Sequence, residues 1–108
     1  MKNFDKIIWR DALTLVDFFA TWCEPCQLMH PVIDKFQRQM NGRADVYKFD
    51  IDDRELLEIV RRYNIVSVPT LMIFRRGEVL WRESGRVGYE HLVNVLTELE
   101  KHEVMSQH

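Results

Sequence analysis

A chain of 108 residues with a formal net charge of −2 has room for one domain and one modest core. Its 46% hydrophobic and 30% charged residues are ordinary for a soluble globular protein and leave no positive excess to draw it to nucleic acid or an anionic membrane. No run approaches the ~20 apolar residues of a membrane span, so neither class of partner is expected.

Residues 1–11 read as a short lead-in, helical or irregular over Asn3 to Trp9, with charges set among its apolar positions. A signal peptide would carry an uninterrupted apolar stretch there, so a cytoplasmic location is expected, where thiols are kept reduced. "LTLVDFFA" (13–20) is a nearly continuous run of strand formers and predicts a central strand buried on both faces. A helix is expected from Cys23 to Asn41, with Met29, Ile33, Phe36 and Met40 on one stripe, a kink at Pro31 and a glycine stop at Gly42.

"ADVYKFDI" (44–51) alternates as a strand does. Asp52 is then expected to cap a helix through Tyr63, with Leu56, Leu57, Val60 and Tyr63 inward. "TLMIF" (70–74), the turn 75–78 and "VLWRES" (79–84) read as an antiparallel hairpin. A last amphipathic helix spans Gly88 to Lys101 and leaves 102–108 as a frayed tail. Trp9 and Trp81 read as packing residues. The basic doublets Arg61-Arg62 and Arg75-Arg76 fall in separate elements and read as solvated surface. Strands alternating with helices predict one undivided α/β domain, 1–108, with a mixed sheet covered on both faces.

The chemistry concentrates in Cys23 and Cys26, the only cysteines of the chain. Zinc needs four ligands, and His30 supplies at most a third, with no recognisable second half-site; no metal is expected. A structural disulfide closing so short a loop would restrict the unfolded chain little. A C-x-x-C between a buried strand and a helix places its first cysteine at the helix amino terminus. Unpaired N–H groups and the positive end of the dipole favour the nucleophilic thiolate there. Cys23 would then attack a substrate disulfide and Cys26 would resolve the mixed disulfide. Pro25, in the first helical turn, gives up an N–H that has no helical partner in any case.

These residues are similar to a known family. Trp22-Cys23-Glu24-Pro25-Cys26 resembles the thioredoxin W-C-G-P-C motif, and "VDFFATWCEPC", "YKFDID", "SVPTLMIF" and "RRGEVLWRESG" resemble its further segments in order over roughly residues 12 to 100. The resemblance implies a thioredoxin fold with a sheet of four or five strands, the amino-terminal β/α region being shortened. It implies a protein-disulfide reductase that needs no cofactor, acts on disulfide-containing client proteins and is re-reduced by a thioredoxin reductase or equivalent donor. It makes Asp17 the buried proton acceptor for Cys26, Lys48 its ionic neighbour and Pro69 a cis-proline facing the cysteines. Trp22, Ser67, Val68, Pro69 and Gly85 become the rim on which clients dock. The residues themselves agree at Asp17, since an acid inside an apolar run is costly without a role or a partner.

Two positions depart from the pattern. Phe19 stands where thioredoxins usually carry Trp, a change expected to affect packing. Glu24 replaces the usual glycine, where its charge supports the helix but repels a thiolate at Cys23; a more reducing couple is expected. An isomerase or oxidase would use the same elements, and a thioredoxin-fold interaction module could carry the pair unused.

Overall fold

A computed structural model of the chain describes residues 2–106, with side chains described for 3–102. The elements run α1 (Lys2–Ile8), β1 (Thr14–Phe19), α2 (Glu24–Gln39), β2 (Asp45–Asp50), α3 (Leu57–Arg62), β3 (Thr70–Arg75), β4 (Glu78–Ser84) and α4 (Tyr89–Ser106). They build a four-stranded sheet in the order β2-β1-β3-β4. β1 and β2 pair in parallel, the arrangement that the α2 crossover allows, and β1–β3 and β3–β4 are antiparallel.

The apolar run 13–20 is explained by burial on both faces of an inner strand. Leu13 and Leu15 enter a core with Met29, Ile33 and Phe36 of α2 and Leu92 and Leu96 of α4. Val16 and Phe18, of opposite parity, enter a second core with Phe4 and Ile8 of α1 and Ile59 of α3. Asp17 shares its parity with Leu15 and therefore lies on the α2 side. An edge position facing solvent, the bland account of an acid in this strand, is excluded.

Among the described residues there is no fifth strand; the lead-in is helical. Phe4 holds α1 to the sheet, with its ring 5.9 Å from Phe18, 5.3 Å from Phe49 and 5.8 Å from Phe74. β2 is consequently an edge strand, and Asp45, Lys48 and Asp50 provide the charges with which edges resist further pairing.

Four expectations need correction. The cap beyond β2 is Asp53, whose Oδ1 accepts from the Glu55 amide at 3.0 Å, and Asp52 does other work described below. A 3-10 turn over Arg54–Leu56 precedes α3, and its tighter winding turns Leu57 outward and Ile59 inward. α4 continues past Lys101 to Ser106, while 107 and 108 lie outside the described residues. Trp9 is exposed and lays its indole across Gly77, where φ is +80° and an added Cβ would fall 2.5 Å from the ring. Of the basic doublets, Arg62 pairs with Asp5, and Arg75 and Arg76 both pair with Asp11.

Candidate active site

β1 ends at Phe19, and the chain turns through Thr21 and Trp22 into α2. Cys23 is the N-cap of that helix, in an extended conformation (φ −90°, ψ 113°), and its Sγ accepts the Cys26 amide at 3.2 Å. The helix ladder starts at once, with the Gln27 amide donating to the Cys23 carbonyl at 3.2 Å. Gln27 also ties the turn down through Nε2 to the Thr21 carbonyl at 3.1 Å. Pro25 sits in the first turn, where no N–H is missed. Cys23 and Cys26 are joined as a disulfide with Cα atoms 5.3 Å apart. On reduction, the amide of Cys26 and the helix dipole remain aimed at Cys23 Sγ, an arrangement that stabilises a thiolate.

Facing the disulfide is the loop that leads into β3. The Val68–Pro69 peptide is cis, and the Val68 carbonyl lies 3.6 Å from Cys23 Sγ. Thr70 fixes the loop from below: its hydroxyl donates to the Ser67 carbonyl at 2.7 Å and lies 2.8 Å from Ser84 Oγ. Gly85, at φ +93°, donates its amide to the Pro69 carbonyl at 2.8 Å and so joins the end of β4 to the same rim. Ser67 is exposed, Val68 half-buried and Pro69 buried.

Trp22 is 70% exposed beside the cysteines, and its indole Nε1 donates to Asp52 Oδ2 at 2.8 Å. The Asp52 amide in turn donates to Asp50 Oδ1 at 2.9 Å. Asp52, which sequence reasoning assigned to a helix cap, therefore holds the Trp22 indole beside the cysteines. Its contact with Trp22 is tertiary, and nothing local in "DIDD" announces it. Val66, 81% exposed, is a second apolar group near the loop that the sequence did not single out.

Asp17 stands in β1, two residues before its end, in register with Lys48 of β2 and Leu71 of β3. It is fully buried, and neither carboxylate oxygen has a hydrogen-bond partner. Removal from water raises its pKa from 3.8 to about 6, against an opposing pull from the Lys48 ammonium. Lys48 itself is bonded elsewhere, with Nζ 2.9 Å from Asp34 Oδ1 on α2. The expected Asp17–Lys48 neighbourhood is thus electrostatic without a hydrogen bond, and Asp34 is the direct partner. Glu24 is exposed in the first turn of α2, one residue from Cys23.

A cysteine at a helix terminus with a second cysteine one turn away can exchange dithiol for disulfide. Among the described residues, no group of three or more His, Cys, Asp or Glu side chains converges as metal ligands would. No helix among them is long and apolar enough to cross a membrane.

Comparison with known proteins gives the same picture. The thioredoxin family model matches residues 1–98. Thioredoxin-1 of Saccharomyces cerevisiae is 43% identical over 84 residues, covering 78% of this chain and 79% of that one. Thioredoxin of Staphylococcus haemolyticus is 36% identical over 95 residues, 88% of each chain. The crystal structure of chloroplastic thioredoxin z superposes with a TM-score of 0.82 at 28% identity, over 93% of this chain and 89% of the other. The chain belongs to the thioredoxin family, and Cys23 and Cys26 stand where that family's thiol-disulfide oxidoreductases carry out their exchange.

Proposed function

We propose that the protein works in the reducing direction, as a protein-disulfide reductase of the cytoplasm supplied with electrons by a thioredoxin reductase or an equivalent donor. The observation that supports this reading is the fully buried carboxyl of Asp17 in the strand that leads to the cysteine pair, its pKa lifted to about 6 by burial. A reductase must finish each encounter quickly. The Cys23 thiolate attacks a client disulfide, forms a mixed disulfide and releases one client sulfur as thiolate. Cys26 then gives its proton to Asp17 and attacks Cys23 Sγ; the intramolecular disulfide forms and the second client thiolate leaves. A base matched to the working pH speeds that second step, whereas an isomerase gains from lingering in the mixed state.

Clients would dock on Trp22, Val68, Pro69 and Gly85. Residue 68 would offer its backbone to an extended peptide in the manner of strand addition. Lys48, bonded to Asp34 and opposite Asp17, would limit how far burial lifts the carboxyl. Equilibration with graded thiol–disulfide buffers, with trapped thiols counted by mass, tests the direction. An intramolecular two-electron couple near about −270 mV, the value known for thioredoxin itself, is expected. A couple at roughly −180 mV or above would move the assignment to an isomerase or oxidase.

The same titration reads the role of Glu24. Its charge opposes the thiolate that the helix terminus favours, so Glu24→Gly is expected to stabilise the reduced form. The couple then becomes more oxidising by at most about 30 mV, the limit for a screened pair roughly 6 Å apart. An unchanged couple would leave Glu24 as a solvated surface residue, and a more reducing one would reverse the sign assigned to its charge.

A further inference from the structure

Asp17 and Lys48 are registered neighbours on adjacent strands, and both side chains project toward α2. Strands lie about 4.8 Å apart, so a side chain as long as lysine has the reach to bond a carboxylate opposite it. Here it does not. Neither Asp17 oxygen has a hydrogen-bond partner, although the residue is fully buried. The Lys48 ammonium instead lies 2.9 Å from Oδ1 of Asp34, an exposed acid two turns beyond Cys26 on α2. A protein interior rarely leaves a carboxyl unpaired when a cation stands beside it.

We propose that Asp34 is a positioning residue for the exchange: it draws the Lys48 ammonium to α2, keeps it from pairing with Asp17, and so leaves the buried carboxyl able to hold a proton. The consequence for turnover rests on the reading of Asp17 as the base for Cys26. A carboxylate paired with lysine stays ionised well below neutral pH and is a weak base. A buried carboxylate left without that partner binds a proton closer to the working pH. Asp34 moves the balance toward the second state from a helix position that is bonded to Lys48 and not to Asp17. As an ion pair near the surface, Asp34–Lys48 adds little to stability, and what it contributes is the placement of a charge.

The other groups on this side of the sheet leave Lys48 as the charge that matters to Asp17. From α2, the cysteines are joined as a disulfide, and His30 is held toward its neutral form by burial first and then by Lys48. From β2, Asp50 accepts the Asp52 amide. The β3 neighbour is Leu71, and α4 brings Leu92 and Leu96 to the same core. Burial raises the Asp17 pKa to about 6 against the residual pull of Lys48, the field that Asp34 weakens.

The test is an NMR titration of the Asp17 carboxyl in the oxidised protein, where the cysteines do not ionise. Asp34→Ala puts a good helix former at an exposed position and releases Lys48. The Asp17 midpoint should then fall by roughly half a pH unit, as for a screened cation moving a few ångströms nearer. Lys48→Met should raise the midpoint, and adding Asp34→Ala to Lys48→Met should change it no further. An unmoved or raised midpoint in Asp34→Ala overturns the proposal. So does an equal fall in both backgrounds, which would make Asp34 act on Asp17 without Lys48. The consequence for turnover is read separately, from the mixed disulfide with a two-chain client, quenched in acid at intervals and weighed. Its decay reports the resolving step alone, and in Asp34→Ala the pH midpoint of that decay should fall by the same amount. If the mixed disulfide of Asp17→Asn decays as in wild type, the base assignment falls and the NMR shift still decides the role of Asp34. Slow decay in Asp17→Asn with no NMR shift in Asp34→Ala removes Asp34 alone.

Discussion

Cys26→Ser is expected to stop turnover at the mixed disulfide, leaving each molecule covalently attached through Cys23 to one client. Cys23→Ser is expected to abolish turnover with nothing trapped. The asymmetry follows from the helix terminus. Cys23 caps α2 and has the Cys26 amide 3.2 Å from its sulfur, an interaction that stabilises negative charge there. Cys26 lies inside the first turn at 1% exposure against 5% for Cys23, which makes Cys23 the sulfur expected to meet a client. Serine at 26 keeps the amide in place, leaves Cys23 nucleophilic and removes only the attack that breaks the mixed bond. Mass spectrometry after incubation with a disulfide client, under non-reducing conditions, reads both outcomes. Reversed trapping, with Cys23→Ser holding the client, would exchange the assigned roles. Persistence of a bound partner in Cys23→Ser with full affinity, together with no turnover by wild type, would make the chain an interaction module.

The elements that sequence periodicity located are those whose burial is one-sided and regular. Met29, Ile33, Phe36 and Met40 line α2 inward as their spacing demands, and Leu92 and Leu96 do the same for α4. Where local winding departs from 3.6 residues per turn, the periodic reading slips, as at Leu57 after the 3-10 turn. The site divides in the same way. Cys23 and Cys26 are legible because their chemistry lies in a four-residue spacing, and Asp17 because a charge inside an apolar run is anomalous in any context. Trp22–Asp52 and Lys48–Asp34 were not legible, since each joins residues from different elements across the fold. His30 carried no functional signal in its spacing. It supplied at most a third ligand after C-x2-C, and its ring packs edge-on to Phe19.

Asp17→Asn is expected to raise the stability of the oxidised protein while impairing the resolving step, and the gain should depend on pH. A carboxyl whose pKa moves from 3.8 to about 6 on folding holds its proton more tightly in the folded chain than in the unfolded one. Below about pH 4 both states are protonated, and acid and amide are nearly equivalent. Between about pH 4 and 6 the unfolded chain releases the proton while the folded chain retains it, so wild-type stability falls as pH rises. Above about pH 6 the folded protein must carry a sealed, unpartnered charge, and the full cost of about 3 kcal/mol is present. Asparagine cannot ionise and escapes that cost. Its midpoint of thermal unfolding should therefore exceed wild type by roughly 10–20 °C at pH 7 and converge with it near pH 4. Parallel melting curves at both pH values would show Asp17 to be solvated or paired after all. A position that weakens the fold at the working pH, and that a neutral isostere would repair, fits the proton-accepting role proposed for Asp17; the same opposition of stability and activity marks other sites where burial tunes a catalytic acid.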